Sequence, residues 1–381
     1  MAQTSDPNAF LKEIAIVVPS ARAAMKLKPR AAVAGQPKPR TLETEAMRWT
    51  YLLRTRQRWL DTGSAAIDHE RDAMQTLADF GLGPTQLARI AEARRVVVRM
   101  PYAAEEVGWA GRIFPWEYVI ASATRRLRKM SSHHFTVMRQ LVPAAGAGTW
   151  ERTPVAKVLF VSSAPGGLGE QYGFDDELRR VSAALGQVVP VHLKDPTWGQ
   201  LQAKIQAMRP DVVHLSGFDN LQGLKALREL LPSDAPIEIA GEPPRPLSRC
   251  LADERGLPDG LLMVGEHQRV EVVPALRLAE ALTGGVGHCA RFVAVSVENS
   301  AARTAALIVA QRAAVAAVGF QDVIYNALSD YFCELVYTQL VEAEPYLPRC
   351  FERAWLRLRQ EPASIRATGV ALWASAGLID D

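Results

Sequence analysis

Pro210-Asp211-Val212-Val213-His214-Leu215-Ser216-Gly217-Phe218-Asp219-Asn220 is a short apolar run that ends in a turn. Val212, Val213 and Leu215 favour strand, and Gly217 marks where the backbone turns away. The run is therefore predicted to be a buried strand. In an open α/β sheet, ligands bind just past the carboxyl ends of the strands. Gly217, Phe218 and Asp219 thus fall where an active site is expected. Phe218 offers a benzyl group there, which neither takes nor gives a proton.

The same strand–helix alternation continues on both sides. Upstream, Val158 to Ser162 is a continuous apolar run, as for a strand buried on both faces. A helix from Asp175 to Leu185, a strand from Val188 to Leu193 and a helix beginning at Thr197 follow. Downstream come a helix from Leu224 to Leu231 and a Pro-rich, irregular stretch over 232–260 with a short apolar segment, Ile237 to Ala240. Then come a strand at Leu261 to Val264, a helix at Pro274 to Leu282 and a core strand at Phe292 to Val297. A helix at Ala301 to Gln311, a strand at Ala314 to Gly319 and a long helix at Ala327 to Leu340 complete the series. This βαβ succession predicts an α/β fold, with a mostly parallel sheet and helices on both faces.

Before it, Ile14 to Pro19 reads as a first strand, and residues 20–40 as an exposed basic loop rich in Ala and Pro. Helices are predicted from Thr41, around Ile67 to Phe80, and at Leu87 and Ile90. Strands are expected at Arg95 to Met100 and Phe135 to Leu141. Between them a helix from Ile113 to Lys129 carries Pro115 in its first turn. Trp116 is read there as core, and Glu117 as a tie to a neighbouring loop. The small-residue stretch from Ala144 to Thr149 is the best internal boundary. The expected division is 1–143 as an N-terminal strand and helical subdomain, 144–156 as linker, 157–345 as α/β core, and 346–381 as a helical tail. In that tail Phe351, Trp355 and Leu358 recur at helical spacing and are expected to pack on the domain.

Composition narrows the function classes. The net charge of +3, from 44 basic and 41 acidic residues, is too small to imply nucleic acid. Cys250, Cys289, Cys333 and Cys350 contain no CxxC pair, so neither a disulfide framework nor a zinc spacing is present. Reduced thiols in a cytoplasm are expected. The first residues lack a signal-peptide pattern, and no apolar run reaches a membrane span of about 20 residues. No cofactor or metal is called. Asp219, Glu298 and Asp322 are read as solvated acids, and Ala164 to Gly169 as a flexible loop lacking the Gly-Lys-Ser/Thr ending of a phosphate loop.

Several segments together resemble the CHAT family, the caspase-like domains associated with tetratricopeptide repeats. They are Phe114-Pro115-Trp116-Glu117, Lys157 to Pro165, the helix around Asp175 to Leu178, Arg209 to Gly217, Arg291 to Ser300, and Val315 to Gln321. The likeness runs from about Val96 to Leu340 and more weakly back to Ile14. It implies a caspase-like three-layer sandwich and cysteine peptidase chemistry by a His–Cys dyad, often in bacterial defence systems. The chain departs from the family at the dyad. Where the family continues Ser/Ala-Gly-His-Gly, this chain has Ser216-Gly217-Phe218-Asp219, so Phe218 stands in the place of the general base. Where the family has Asn-Ala-Cys-x-Ser, this chain has Ser296-Val297-Glu298-Asn299-Ser300, so Glu298 stands in the place of the nucleophile. A phenyl ring cannot deprotonate a thiol, and a carboxylate does not replace one.

No other residue obviously restores the dyad. His214 lies inside the strand and is read as a satisfied core histidine. His288 and Cys289 precede a strand and lie at the opposite sheet end from the cleft. Ser216 and Ser300 lie near the cleft without a base. The resemblance thus implies a catalytically inactive pseudoprotease that binds or regulates a partner protein, with a TPR-containing protein, a protease or an effector as the expected candidates. No membrane or nucleic-acid partner is expected, and an exposed sheet edge would suit a homodimer. A working cysteine endopeptidase with a displaced dyad, and a nucleotide- or metal-binding sensor, are the alternatives.

Overall fold

The computed structural model describes residues 13–17, 42–61, 69–93, 95–101, 113–127, 136–142, 150–253, 256–265, 267–297, 300, 303–321, 326–342, 345–360, 369–375 and 378. The chain divides into two compact units, Met1–Val142 with Leu356–Gly369, and Pro143–Trp355 with Val370–Asp381.

In the first unit, β1 (Glu13–Val17), β2 (Arg95–Pro101) and β3 (Thr136–Val142) pair in parallel. Its helices are α1 (Leu42–Asp61), α2 (His69–Asp79), α3 (Pro84–Glu92) and α4 (Trp116–Ala123). Phe80, Phe114 and Trp116 form one aromatic cluster. Trp116 is core, as its apolar context predicts. Glu117 is also fully buried, and it grips Arg139 of β3 through two hydrogen bonds of 2.7 and 2.5 Å. The tie runs to a strand rather than to a loop.

The second unit holds a six-stranded run in the order β13-β12-β11-β6-β4-β5 and a separate four-stranded sheet in the order β8-β7-β10-β9. The central strands are β4 (Val158–Ser163), β5 (Val191–Lys194) and β6 (Val212–Gly217). The linking helices are α5 (Leu168–Gln171), α6 (Asp175–Leu185), α7 (Trp198–Met208) and α8 (Asn220–Leu227). α7 starts where the sequence says, with a capping box between Thr197 and Gln200. β4 is buried at every position, so it is covered on both faces. The edge strand β5 is shorter than expected, and Val189 before it is largely exposed.

The stretch 232–260 is not irregular. It forms β7 (Pro236–Ile239), β8 (Glu242–Pro246) and α9 (Leu247–Ala252). Three prolines fall on β8, an edge strand, where a missing N–H need not break the ladder. Leu261 to Val264 is a strand, but not of the main sheet. As β9 (Gly260–Val264) it forms an antiparallel pair with β10 (Val270–Pro274), which also pairs with β7. A short connection permits antiparallel pairing, whereas a parallel partner needs a crossover.

α10 (Ala275–Leu282), β11 (Ala290–Ser296), α11 (Thr304–Ala310), β12 (Ala314–Phe320) and α12 (Asn326–Leu340) follow the expected order. β11 pairs in parallel with β6 and β12. The C-terminal stretch is not wholly helical. After α13 (Leu347–Gln360) comes β13 (Val370–Ala374), a fully buried strand antiparallel to β12. Its five apolar residues are too few to show a period. Phe351 and Trp355 of α13 are buried, Phe351 against Phe332, as expected for a helix packed on its domain; the Leu358 side chain lies outside the described residues. So do the small-residue boundary at 144–149 and the basic loop over 20–40.

Candidate functional site

β6 lies between β4 and β11 in continuous register. Ser162, Ser216 and Ser296 therefore stand in one row across three strands. At the end of β6, a side chain on Gly217 would put Cβ 2.9 Å from the Ser163 carbonyl oxygen and 3.0 Å from Leu261. Glycine is needed here for close approach rather than for an unusual φ.

Phe218 is half-buried at the strand end. Its ring meets Tyr172 at 5.0 Å and 77°, and Phe174 at 5.9 Å and 67°. Both geometries are edge-to-face, the arrangement favoured by ring quadrupoles. Phe174 and Phe218 pack against a buried cluster that includes Leu224, Leu227 and Leu262. The Phe218 carbonyl also accepts from the Leu262 amide at 3.0 Å. The residue is thus fixed by ring and backbone. Asp219 caps α8, its Oδ1 accepting from the amides of Leu221 and Gln222 at 3.0 and 3.1 Å. It is a helix cap, not a solvated acid. Ser300 is a buried strut: its hydroxyl donates to the Val295 carbonyl and accepts from the Phe320 amide, each at 3.1 Å. Glu298 and Asp322 lie outside the described residues.

His214 faces the opposite way, into the helical layer. It is fully buried and stacks on Phe160, with centroids 4.8 Å apart and an interplanar angle of 6°. Its Nε2 lies 2.8 Å from Glu177 Oε1 on α6, and its Nδ1 2.7 Å from the Tyr337 hydroxyl on α12. A carboxylate only accepts, so Nε2 carries the proton and donates. Nδ1 is taken up by the phenol on the other side of the ring. Ser216 donates to Glu177 Oε2, and Ser296 hydrogen-bonds the same carboxylate. Burial alone would raise the Glu177 pKa, but His214, Ser216 and Ser296 outweigh it and hold the group below the ordinary value. Burial pushes the Tyr337 phenol well above its ordinary value, so it stays a donor. Both nitrogens of His214 are committed, and the imidazole has no free lone pair to serve as a general base.

The thiols offer no easy nucleophile. Burial raises Cys250, and it pushes Cys350 up to about 12. Cys333 is buried one turn before Tyr337 on α12. Cys289 precedes β11, and His288 bonds the Pro210 carbonyl at 3.0 Å, at the start of β6 rather than at its end. Gly217, Phe218 and Asp219 are thus brought together. His214, Ser216 and the cysteines are not brought to them as a catalytic group.

No protein-family model and no curated protein matches this chain.

Two further features bear on function. The glycine loop after β4 is packed: a Cβ at Gly166 would lie 2.7 Å from Leu227 and 2.9 Å from Val270, and the Ala164 amide already donates to Asp195 Oδ1 at 2.7 Å. Among the described residues, no group of three or more His, Cys, Asp or Glu could hold a metal ion, and no helix is long and apolar enough to cross a membrane.

Sequence reasoning missed one pair. Ser162 Oγ lies 2.8 Å from Nε2 of His192, across β4 and the edge strand β5. The only signal available was a polar residue at alternate positions on each strand. Strand neighbours cannot be read from two segments separated by a helix.

Proposed function

We propose that this chain is a caspase-like α/β scaffold without cysteine peptidase chemistry, acting through a partner protein. The observation that carries the reading is the strand-end position after Gly217, filled by an aromatic ring locked between Tyr172 and Phe174. A cysteine peptidase needs an imidazole within hydrogen-bond reach of a thiol in an open groove. Here the nearby imidazole of His214 is spent on Glu177 and Tyr337. Tyr172 is 40% exposed, so the aromatic group keeps an accessible side for a peptide segment of the partner. The resemblance noted in the sequence suggests that the partner belongs to a bacterial defence or signalling assembly.

The test combines an alkylating probe with a mixture of fluorogenic peptides. The expected result is slow, uniform labelling of the four cysteines and no peptide cleavage. A single hyper-reactive cysteine whose alkylation stops peptide cleavage overturns the reading. Binding is tested separately on a peptide array, where Phe218→Asp should lose the peptides that the natural chain retains. Retention of the same peptides by that variant would remove the aromatic group from the binding role.

A further inference from the structure

β4 and β5 run parallel with Phe160 opposite His192 and Ser162 opposite Lys194. Alternation along each strand puts these four side chains on one face. Ser162 Oγ and His192 Nε2 are 2.8 Å apart, within reach for direct proton transfer. Phe160 meets the imidazole edge-on at 5.6 Å and 75°, and is itself stacked on His214. The histidine therefore rests on a rigid wall. Ser162 is only 4% exposed, while His192 is exposed. A sheltered hydroxyl sits beside an imidazole that solvent and ligand can reach. Ser162 lies near the carboxyl end of β4, level with Lys194 at the end of β5, and α/β folds bind their ligands at that end; His192 stands one step below it on the same face.

We propose that Ser162 is an acylable nucleophile with His192 as its general base, acting on carboxylic esters presented at the β5 edge. Oγ forms a bond to the ester carbonyl carbon while Nε2 takes the hydroxyl proton. The bond to the leaving alcohol breaks, and the imidazolium returns its proton to that oxygen. Water, deprotonated by the same nitrogen, then hydrolyses the acyl-serine to the acid. Lys194 stands opposite Ser162 and brings a cation to the side of the developing oxyanion.

Among the described residues, no carboxylate hydrogen-bonds Nδ1 of His192. The pair is a dyad, suited to esters of phenols or small alcohols rather than to amides. Burial lowers the His192 pKa most; Asp175 and Asp195 raise it, and Lys194 lowers it. The net direction is downward, so the base form is the one present at neutral pH. The proposal uses neither Phe218 nor any cysteine, and stands apart from the partner-binding reading.

The test treats the full chain with a fluorophosphonate probe, maps the label by mass spectrometry, and follows hydrolysis of p-nitrophenyl acetate. A single label on Ser162 is expected, absent in Ser162→Ala. His192→Gln should slow labelling by about 100-fold or more. Labelling of the natural chain should rise with pH through a midpoint below 6.5, the ordinary histidine value. Melting curves show whether each variant is folded; if one is not, the pH profile of the natural chain decides. No label, a label at another residue, an unchanged rate in folded His192→Gln, or a flat pH profile overturns the proposal.

Discussion

Two buried glutamates solve one problem in different ways. Glu117 sits in the first turn of α4 and Glu177 in the first turn of α6, and each reaches a strand of its own unit. Glu117 meets Arg139, which is fully buried and also donates to the Phe114 carbonyl at 3.2 Å. An arginine stays charged at any ordinary pH, so the cationic side of that pair is fixed. Glu177 meets an imidazole and two hydroxyls instead. One ring N–H and two hydroxyls share its charge, and a phenol completes the other side of the ring. The first arrangement is a fixed rivet; the second is a proton-dependent network that holds α6 and α12 onto β6.

Removing each carboxylate separates the two arrangements. Glu117→Ala leaves the buried Arg139 without its counter-charge and should cost about 3–5 kcal/mol, measured by denaturant unfolding. Glu177→Ala leaves the His214 Nε2–H unsatisfied, while the Ser216 and Ser296 hydroxyls can rotate to other acceptors, so it should cost about 1–3 kcal/mol in the same measurement. An equal or larger loss for Glu177→Ala would break the distinction. Acid provides a second test. The Glu177 pKa is depressed in the folded state, so its contribution is full above the ordinary carboxylate value of 4.5 and is lost as pH falls through the lower folded value. The stability gap between the natural chain and Glu177→Gln should be flat above that pH and shrink below it. Tyr337→Phe removes the phenol donor at Nδ1 of His214 and should cost about 1.5 kcal/mol. Smallest is Asp219→Ala, which strips the cap of α8 for about 1 kcal/mol and leaves the Glu177 network intact, as a melting curve would show.

Continuous apolar runs made β4, β6, β11 and β12 legible in the sequence, because strands buried on both faces carry few polar residues. Capping chemistry fixed the start of α7 at Thr197. The four-stranded sheet was hidden because Pro243, Pro244 and Pro246 mask an edge strand as a loop. At the site, the inertness of Phe218 and the burial of His214 could be read from residue type and strand position. The cap made by Asp219 and the strut made by Ser300 could not, since both depend on the path of the backbone after the strand. Ser162 and His192 escaped notice for a further reason. Their meeting is set by the β4–β5 register, which no local signal encodes.

β13 gives the second unit a particular order of events. β12 follows its neighbour β11 directly after one helix, but its other side waits for Val370 to Ala374, which follow all of α12 and α13. Until that segment is made, β12 exposes a bare row of backbone donors and acceptors. A growing or nicked polypeptide that stops short of Val370 would carry an open, sticky seam, a natural target for a chaperone and a starting point for aggregation.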